Sequence, residues 1–398
     1  MNGLTPRGGL GIYVSVPFCR AKCSFCNFAS GVSSADRVAE YVRRLCGEID
    51  GASVKAEGLG LDLPRTADTL YFGGGTPSLL TPEQLCEIFT ALRRQFTLDA
   101  GAEITLEAAP GQIAGEVLDA AIGLGVNRVS LGVQSFVDRE SMAVGRTHTG
   151  ESCLREISRL RRRGVEEVGA DLIAGLPYQT SESWMASLKA ACESELTHLS
   201  VYLLEIDEGS RLGREVLSGG ARLHAPDVVS DELAAQLYES ACEVLEANGF
   251  AQYEISNFAR GKEHQSRHNR KYWERSPYVG FGLDAHSMLA RKDGTAVRFA
   301  NRDELDDYDA GTVGEIKEVS DREAFEESVF LGLRLNEGIS LEGLGERFSS
   351  TWVRACEERM RHLEREGLLT ADGDRRQLSV RGRLVSSEVF GELLAVVA

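Results

Sequence analysis

The strongest constraint on the fold is a repeated alternation of short apolar runs with longer helical segments over the first 250 residues. Each run is rich in Val, Ile and Leu, and the stretch that follows has apolar residues at helical spacing. Strands that alternate with helices form a parallel sheet with the helices packed outside it. The sequence therefore predicts an α/β fold built on a partial (β/α)6 barrel. Its six predicted strands are 12–16, 68–72, 103–107, 128–133, 168–173 and 199–203.

Two helices carry clear start signals. Ser34 can cap a helix that runs to about residue 50. The sequence Thr81-Pro82-Glu83-Gln84 combines an N-cap, a proline at the first helical position and a capping-box glutamine. This helix therefore begins at Pro82, and the glycine run 73–75 before it is a separate loop. A glycine loop of this kind lets a ligand approach the backbone closely.

The rest of the chain differs from the barrel pattern. Residues 251–318 are predicted to be a connecting segment, and residues 319–398 a third unit after the barrel of residues 1–250. The last unit shows three helical segments, 322–335, 341–348 and 352–366, and then a possible hairpin around residues 372–374. This order resembles a winged-helix unit, which makes the C-terminal domain mostly helical. A role as a substrate lid or in packing is expected for it, rather than DNA binding.

The charge balance excludes several classes of partner. With 44 Lys and Arg against 61 Asp and Glu, the net charge is −17. Such a surface repels nucleic-acid backbones and anionic membranes. The sequence has no apolar run of about 18 residues, and its start lacks the apolar core of a signal peptide. A cytoplasmic protein without nucleic-acid partners is expected, and nothing indicates membrane association.

Three cysteines follow the first predicted strand in a C-x3-C-x2-C pattern, at Cys19, Cys23 and Cys26. Thiolates select zinc, copper(I) or iron–sulfur clusters. No His or Cys occurs from residue 27 to residue 45 to complete a zinc tetrahedron. Three ligands instead suit a cluster with one iron open to a small molecule. An open zinc site, or cysteines present by chance or for redox chemistry, remain alternatives at this point.

Four polar residues lie where the predicted strands end. Glu107, Gln134 and Asp171 lie at or near three strand ends, and Arg146 lies on the loop after the fourth strand. The carboxyl ends of the strands carry the site in barrels of parallel strands. By pattern alone, ordinary solvated loop polarity explains these residues as well as a ligand site does.

Together, the cysteine motif and the run Y-F-G-G-G-T-P at 71–77 resemble the radical S-adenosylmethionine (SAM) superfamily. The resemblance implies a 4Fe–4S cluster on Cys19, Cys23 and Cys26, with the amine and carboxylate of SAM on the open iron. It also implies that the glycine-rich edge binds the SAM amino group. In the group that includes oxygen-independent coproporphyrinogen III oxidase, matching positions contact SAM; here they are Tyr13, Phe25, Gly75, Thr76, Glu107, Gln134, Arg146 and Asp171.

Two further features resemble the HemW-type heme chaperones. Phe28 stands where the oxidases have a fourth cysteine, and an H-N-x-x-Y-W element occurs at 268–273, followed by G-x-G-x-x-A-H-S at 280–287. This resemblance implies that the protein binds heme and passes it to an acceptor protein, with an electron donor such as flavodoxin or ferredoxin. His268 is the first candidate for the axial ligand of heme and His286 the second. The alternative for His268 is a hydrogen-bonded structural role.

The same motifs leave an enzymatic function open. A radical SAM enzyme of this group would carry out oxidative decarboxylation of a porphyrinogen, or methylation of the class C type. Phe28 argues against coproporphyrinogen III dehydrogenase activity, because the fourth motif cysteine is missing. A barrel with a structural zinc ion is the remaining hypothesis.

Overall fold

The computed structural model describes residues 9–309 and 313–395. The strands are β1 (Leu10–Val16), β2 (Leu61–Asp62), β3 (Thr66–Gly74), β4 (Thr97–Ala108), β5 (Arg128–Gln134), β6 (Glu167–Ala174), β7 (His198–Leu203), β8 (Ala251–Gln252), β9 (Asn257–Ala259), β10 (Tyr278–Phe281), β11 (His286–Arg291), β12 (Ala296–Asn301), β13 (Val313–Glu318), β14 (Ile339–Ser340), β15 (Leu369–Asp372) and β16 (Arg375–Leu378). The helices are α1 (Ala35–Asp50), α2 (Ala52–Gly58), α3 (Pro82–Gln95), α4 (Gly115–Leu124), α5 (Asp138–Ala143), α6 (Gly150–Arg162), α7 (Ser181–Glu193), α8 (Arg211–Leu217), α9 (Asp231–Ala247), α10 (Arg267–Trp273), α11 (Leu305–Asp309), α12 (Asp321–Arg334), α13 (Leu341–Arg347), α14 (Ser350–Arg365), α15 (Val380–Leu384) and α16 (Ser386–Leu394).

The barrel is an arc of parallel strands in the order β1-β3-β4-β5-β6-β7. At one edge β1 also pairs with β10, in parallel, and at the other edge β7 pairs with β9 in antiparallel. Each edge strand is therefore occupied by a strand from later in the chain, and the six strands remain an open arc. This architecture confirms the predicted α/β fold with a partial parallel barrel.

The core explains why these strands pack as they do. Buried and exposed residues do not alternate along β1. Leu10, Ile12 and Val14 on one face and Gly11 and Ser15 on the other are all buried, as expected for a strand covered on both faces. The predicted helix starts are confirmed: Ser34 accepts a hydrogen bond from the backbone of Arg37, and Thr81 forms the full capping box of α3. Among the helices described, none combines the length and apolar character needed to cross a bilayer.

Residues 251–318 contribute more to the sheet than the sequence predicts. They form strands β8 to β13 and helix α10, and β10 to β13 extend the sheet beyond β1. The strands are only two to six residues long, and β10 pairs with a strand more than 250 residues earlier in the chain, as in the pair Gly11 and Tyr278. Local patterns cannot reveal such pairings.

Helix α10 closes the amino-terminal end of the barrel. The Lys271 ammonium lies 2.7 Å from an Asp68 carboxylate oxygen and donates a hydrogen bond to the Gly9 carbonyl. The backbone N–H of His268 donates to Glu103 Oε1 at 2.9 Å. Gly9 and Asp68 lie at or near the starts of β1 and β3, and Glu103, in the middle of β4, pairs with Thr69 of β3. The cysteine loop follows the other end of β1, a strand of seven residues that spans roughly 20 Å.

The C-terminal domain has a core of its own, which includes Phe325, Met360 and Leu363. Its helices α12, α13 and α14 and the hairpin β15–β16 confirm the predicted elements, and β14 adds a third strand to the hairpin. The domain contacts the barrel through a buried ion pair between Arg275 and Glu327, whose atoms lie 2.9 Å apart. The H-N-x-x-Y-W element and the residues just after it therefore join the two parts of the molecule.

Candidate functional site

The cysteine loop lies at the carboxyl end of β1 and is shaped by backbone hydrogen bonds. The Cys19 N–H donates to the Gly31 carbonyl at 2.9 Å, and the Ser24 N–H donates to the Val144 carbonyl at 3.1 Å. Cys23 is buried, while Cys19 and Cys26 are half-buried, and all three are free thiols. The loop therefore presents three sulfur ligands from a fixed backbone.

The glycine-rich edge packs directly on the start of this loop. The Thr76 N–H donates to the Phe18 carbonyl at 2.8 Å, and Thr76 Oγ1 donates to Cys19 Sγ at 3.6 Å. A Cβ atom on Gly75 would lie 2.7 Å from the Phe18 carbonyl oxygen, so only glycine permits this contact. The structure therefore brings together the two motifs that the sequence separates by some 50 residues.

The donor set fits an iron–sulfur cluster. No group of three or more His, Cys, Asp and Glu side chains within residues 9–309 and 313–395 is placed to hold a single metal ion. In a cluster each cysteine binds a different iron, so the three sulfurs need not converge on one point. Burial raises the pKa of the Cys23 thiol, whereas Arg146 and Arg211 favour its thiolate. The two arginines thus supply positive charge beside the ligands.

Glu107 lies at the end of β4, facing the glycine edge. Tyr71 Oη donates a hydrogen bond to Glu107 Oε1 at 2.7 Å. Burial raises the pKa of Glu107 to about 7; the hydrogen bonds from Tyr71 and the Gly74 backbone oppose this rise, and the Asp171 carboxylate adds to it. A carboxyl group with this pKa can bind a protonated amine near neutral pH, since the amine would stabilise its charged form.

Gln134, Arg146 and Asp171 meet around the ends of β5 and β6. A Cβ atom on Gly132 would lie 2.7 Å from Arg146 Nη2 and 3.0 Å from Gln134 Nε2, so both side chains lie against this glycine. Burial raises the pKa of Asp171, while Ser200, Ser130 and Arg146 stabilise its carboxylate. Arg146 Nε is buried and has no hydrogen-bond partner among the residues described. It is therefore a donor available to a ligand.

Tyr13 and Phe25, the two aromatic residues among the predicted SAM contacts, differ in their surroundings. The ring of Tyr13 stacks on Tyr71, with ring centres 6.0 Å apart, and so belongs to the same group as Glu107. Phe25 instead packs with apolar residues that include Val144 and Leu212, beneath helix α8. The structure thus brings seven of the eight predicted SAM positions to the barrel interior or to its glycine edge, and places Phe25 in the packing of the loop.

Sequence reasoning missed several residues that line the barrel interior. Tyr71, Ser130, Ser200 and Tyr202 surround a cavity of about 60 Å³ together with Glu107. The two-residue period of a strand could have found two of them, because Tyr71 shares a face with Gly73, and Ser200 shares one with Tyr202. The volume of this cavity lies below the ~300–1,000 Å³ of typical cofactor sites.

His268 is enclosed on every side. Its Nδ1 lies 2.8 Å from Thr69 Oγ1, its Nε2 lies 2.9 Å from Tyr272 Oη, and its ring stacks on Tyr71. The side chain is buried, and burial lowers its pKa to about 3, so the ring is neutral. A neutral imidazole has one N–H and one lone pair, and both are used here. A heme iron would have to displace one of these partners.

His286 has the opposite environment. It begins β11, just after the turn at the carboxyl end of β10, and its side chain is 68% exposed. Its Nε2 lies 3.7 Å from Asp284 Oδ1. Because β10 runs parallel to β1, His286 lies at the same end of the sheet as the cysteine loop.

Comparison with known proteins gives the family. The profile of the radical SAM superfamily matches residues 13–191, and that of the HemN C-terminal domain matches residues 319–385. The heme chaperone HemW of Lactococcus lactis is 31% identical over 386 residues, which cover 96% of each chain. The heme chaperone HemW of Mycobacterium tuberculosis is 34% identical over 409 residues, which cover 99% of this chain and 97% of that protein. The chain belongs to the HemW family of radical SAM proteins.

The fold of this HemW family member is also that of a solved relative. The structure of coproporphyrinogen III oxidase (HemN) from Escherichia coli, described as a radical SAM enzyme, superimposes with a TM-score of 0.82. The two chains are 24% identical, and the match covers 98% of this chain and 91% of that one. The barrel and the C-terminal domain are therefore arranged alike in the two proteins.

Phe28 marks the main departure of this family member from the oxidase motif. Its side chain is 64% exposed, although it is a large apolar group. The Lys22 ammonium donates a hydrogen bond to the Phe28 carbonyl at 2.9 Å, which holds this part of the cysteine loop in a tight fold. The position of the fourth cysteine in the oxidase motif is here an apolar side chain on the surface.

Proposed function

We propose that this protein is a heme chaperone, which binds heme and transfers it to an acceptor protein. The observation that carries the proposal is the similarity to heme chaperones over nearly the whole chain, with 31% and 34% identity to two bacterial relatives. Phe28 supports it, since this residue replaces the fourth cysteine of the oxidase motif. An acceptor protein, an electron donor such as flavodoxin or ferredoxin, and a cytoplasmic location belong to the same proposal.

The proposal includes a 4Fe–4S cluster on Cys19, Cys23 and Cys26, with SAM beside it. When bound, the cluster would supply one iron without a protein ligand, and an electron. The predicted SAM contacts are Tyr13, Phe25, Gly75, Thr76, Glu107, Gln134, Arg146 and Asp171. The surroundings of two of them support this, because the Glu107 carboxyl can accept a hydrogen bond from an amine and Arg146 Nε can donate to an acceptor of the ligand. The protein's own part is to orient the ligand and to keep water from it.

The geometry also ranks the two candidate heme ligands. His268 was placed first by motif, yet both its ring nitrogens are engaged and its ring is buried. His286 is exposed at the cysteine end of the sheet, where a heme could reach it. We therefore place His286 ahead of His268 as the proposed axial ligand.

Anaerobic heme titration tests the proposed function. The cluster is reconstituted without oxygen, hemin is added stepwise, and the Soret band is followed. A heme chaperone gives a saturable spectral change at a fixed ratio of hemin to protein. A change that only grows in proportion to added hemin, as for unspecific adsorption, contradicts the proposal.

An enzymatic function is the second candidate. It is favoured by the group around Glu107, Gln134, Arg146 and Asp171, whose polar side chains meet at the carboxyl ends of the strands, where catalytic residues of such barrels lie. Reconstituted protein is incubated with SAM, a reductant and coproporphyrinogen III, and the products are separated. Formation of protoporphyrinogen, or of a methylated product, would replace the chaperone proposal with an enzymatic one.

A further inference from the structure

The segment between β7 and α9 folds over the cysteine loop. The Leu212 N–H of helix α8 donates to the Ser24 carbonyl at 2.8 Å, and Arg211 Nη2 donates to the Lys22 carbonyl. Asn27 Nδ2 also donates to Asp207 Oδ2 at 2.6 Å. Three hydrogen bonds thus fasten this segment to the cysteine loop. The sequence alone does not predict α8.

A pocket of about 870 Å³ lies along this segment. It is a shallow depression that is open to solvent on one side. Three arginines and two glutamates line it with Leu217 and Leu223, which leaves an excess of one positive charge (3 − 2) in a chain of net charge −17. Its charged residues are Arg211, Arg214, Arg222, Glu208 and Glu215.

Among the residues described, two of the three arginines donate to backbone oxygens, whereas Arg222 forms an ion pair for which a ligand carboxylate would compete with Glu215. Arg211 and Arg214 donate to backbone carbonyls, those of Lys22 and Glu208, which orient a guanidinium without cancelling its charge. Arg222 is paired with a carboxylate, Glu215, at 3.5 Å. Guanidinium groups present a planar fork of donors that matches a carboxylate.

Apolar surface lies beside these charges. Leu217 lines the pocket and is 58% exposed. Phe28, which is 64% exposed, follows Asn27, the residue that contacts Asp207 of the segment. Leu217 is thus an exposed apolar side chain within the pocket, and Phe28 is a second one on the cysteine loop to which the segment is hydrogen-bonded. Apolar side chains of this kind together with arginines suit a ligand with an apolar body and acidic groups at one edge.

We infer that this pocket binds the propionate carboxylates of heme through Arg214 and Arg222, while Leu217 and Phe28 contact the macrocycle. This inference rests on the proposed heme-chaperone function and deepens it by naming the site. Heme is an apolar disc with two carboxylates at one edge. The arginine pocket offers guanidinium groups for the carboxylates and leucine side chains for the disc.

A comparison of two probes tests the assignment. Hemin carries free propionates, and iron(III) protoporphyrin IX dimethyl ester has the same ring without their charge. Arg214→Gln and Arg222→Gln should each weaken hemin binding roughly fivefold to tenfold and leave binding of the ester unchanged, because only hemin offers a carboxylate to pair. Phe28→Ser should weaken binding of both probes.

Arg155→Gln is the matched control. Arg155 is 63% exposed on the outer helix α6 and is also paired with one glutamate, Glu151, so its loss changes the net charge equally. It should bind both probes like the wild-type protein. Equal hemin affinity in wild type and both pocket variants overturns the pocket assignment and leaves the chaperone function standing. An equal loss for both probes in the arginine variants also overturns it, and wild-type protein that binds no hemin overturns the function itself.

Discussion

The two ends of the barrel carry similar residue types in very different states. At the amino-terminal end, Arg128 pairs with Glu103 at 3.1 Å and His268 lies between two hydroxyl groups. At the carboxyl end, Glu107 has a pKa raised to about 7 by burial, and Arg146 Nε is buried without a partner among the residues described. A motif histidine can therefore be structural, while a loop arginine is available to a ligand.

The difference has an energetic basis. A buried polar atom without a partner costs about 1–3 kcal/mol, so a fold retains one mainly where a ligand satisfies it. The amino-terminal end uses its polar groups to hold α10 and the C-terminal domain against the barrel. At the carboxyl end, Arg146 Nε lacks a partner among the residues described, although Trp273 Nε1 and two Arg275 nitrogens beside α10 also lack one. Changes at the two ends should thus affect different measurements.

The largest effect is expected from the cysteine loop. Cys23→Ser should lower the iron content of reconstituted protein to background, because a serine hydroxyl does not replace a thiolate in an iron–sulfur cluster. Iron analysis and the visible absorption spectrum measure this. The exposed Cys86 on α3 provides the control, and Cys86→Ser should keep the full iron content. Full iron in the Cys23 variant would remove this loop as the cluster site.

A substitution at the amino-terminal end of the barrel should lower the stability of the protein. Arg128→Met removes the cation from a pair whose side chains are only 5% and 7% exposed, which leaves the Glu103 charge buried. A loss of about 3–5 kcal/mol in the free energy of unfolding is expected. Urea unfolding followed by circular dichroism measures it.

A surface pair gives the matched control for this change. Arg94 contacts Asp50 at 2.7 Å, but the two side chains are 52% and 41% exposed. Arg94→Met should cost less than about 1 kcal/mol, because water screens the pair. Similar losses for the two methionine variants would contradict the distinction between the buried network and the surface.

Glu107→Gln should raise the stability of the protein and weaken its binding of SAM. The pKa of Glu107 is raised in the folded protein, so the native state holds its proton more tightly and loses stability as the pH rises from about 4.5 to 7. The glutamine variant avoids this loss. Relative to the wild type, it should gain about 2–3 kcal/mol of stability between pH 5 and pH 8. Thermal unfolding of the cluster-free protein at the two pH values measures this, and SAM binding should weaken.

The prediction for Glu107 depends on how the stabilisation changes with pH. A stabilisation that is the same at both pH values would show that the ionisation of the carboxyl group is not its cause. Asp99, an exposed acidic residue in the first part of β4, supplies the control. Asp99→Asn should leave the pH dependence of stability unchanged.

The smallest effect on stability is expected at His286. His286→Ala should change the free energy of unfolding by less than about 0.5 kcal/mol, since the side chain is exposed, yet shift the Soret band of the heme-loaded protein. His362→Ala, at an exposed histidine on α14, should change neither. His268→Ala should lower stability and leave the Soret position unchanged. A Soret shift in the His268 variant alone would restore His268 as the ligand.

Much of the fold could be predicted because its signals are local. The alternation of strands and helices, the capping box at Thr81 and the hairpin around Gly373 each depend on residues close together in sequence. The strands of residues 251–318 and helix α8 were missed. Those strands are short and pair with distant partners, and the site of α8 depends on contacts with the cysteine loop.

The candidate site shows the same division. Sequence spacing identified Cys19, Cys23 and Cys26 and the glycine edge, and the structure places the two motifs in contact. The hydrogen bond from Tyr71 to Glu107 and the arginines of the α8 pocket were not predicted from the sequence, although Tyr71 is the first residue of the glycine-run motif. Their importance comes from neighbours that are far away along the chain.

The amino-acid sequence alone reveals which chemical groups the protein has: three cysteines at cluster spacing, a glycine edge, and Phe28 in place of a fourth cysteine. The burial and the partners of each group are visible only in the folded chain. His268 and His286 both stand in recognisable motifs, but one is buried against Thr69, 199 residues away, and the other is exposed beside Asp284. The side chain determines which chemical groups a residue has, whereas its burial and partners depend on how the whole chain packs.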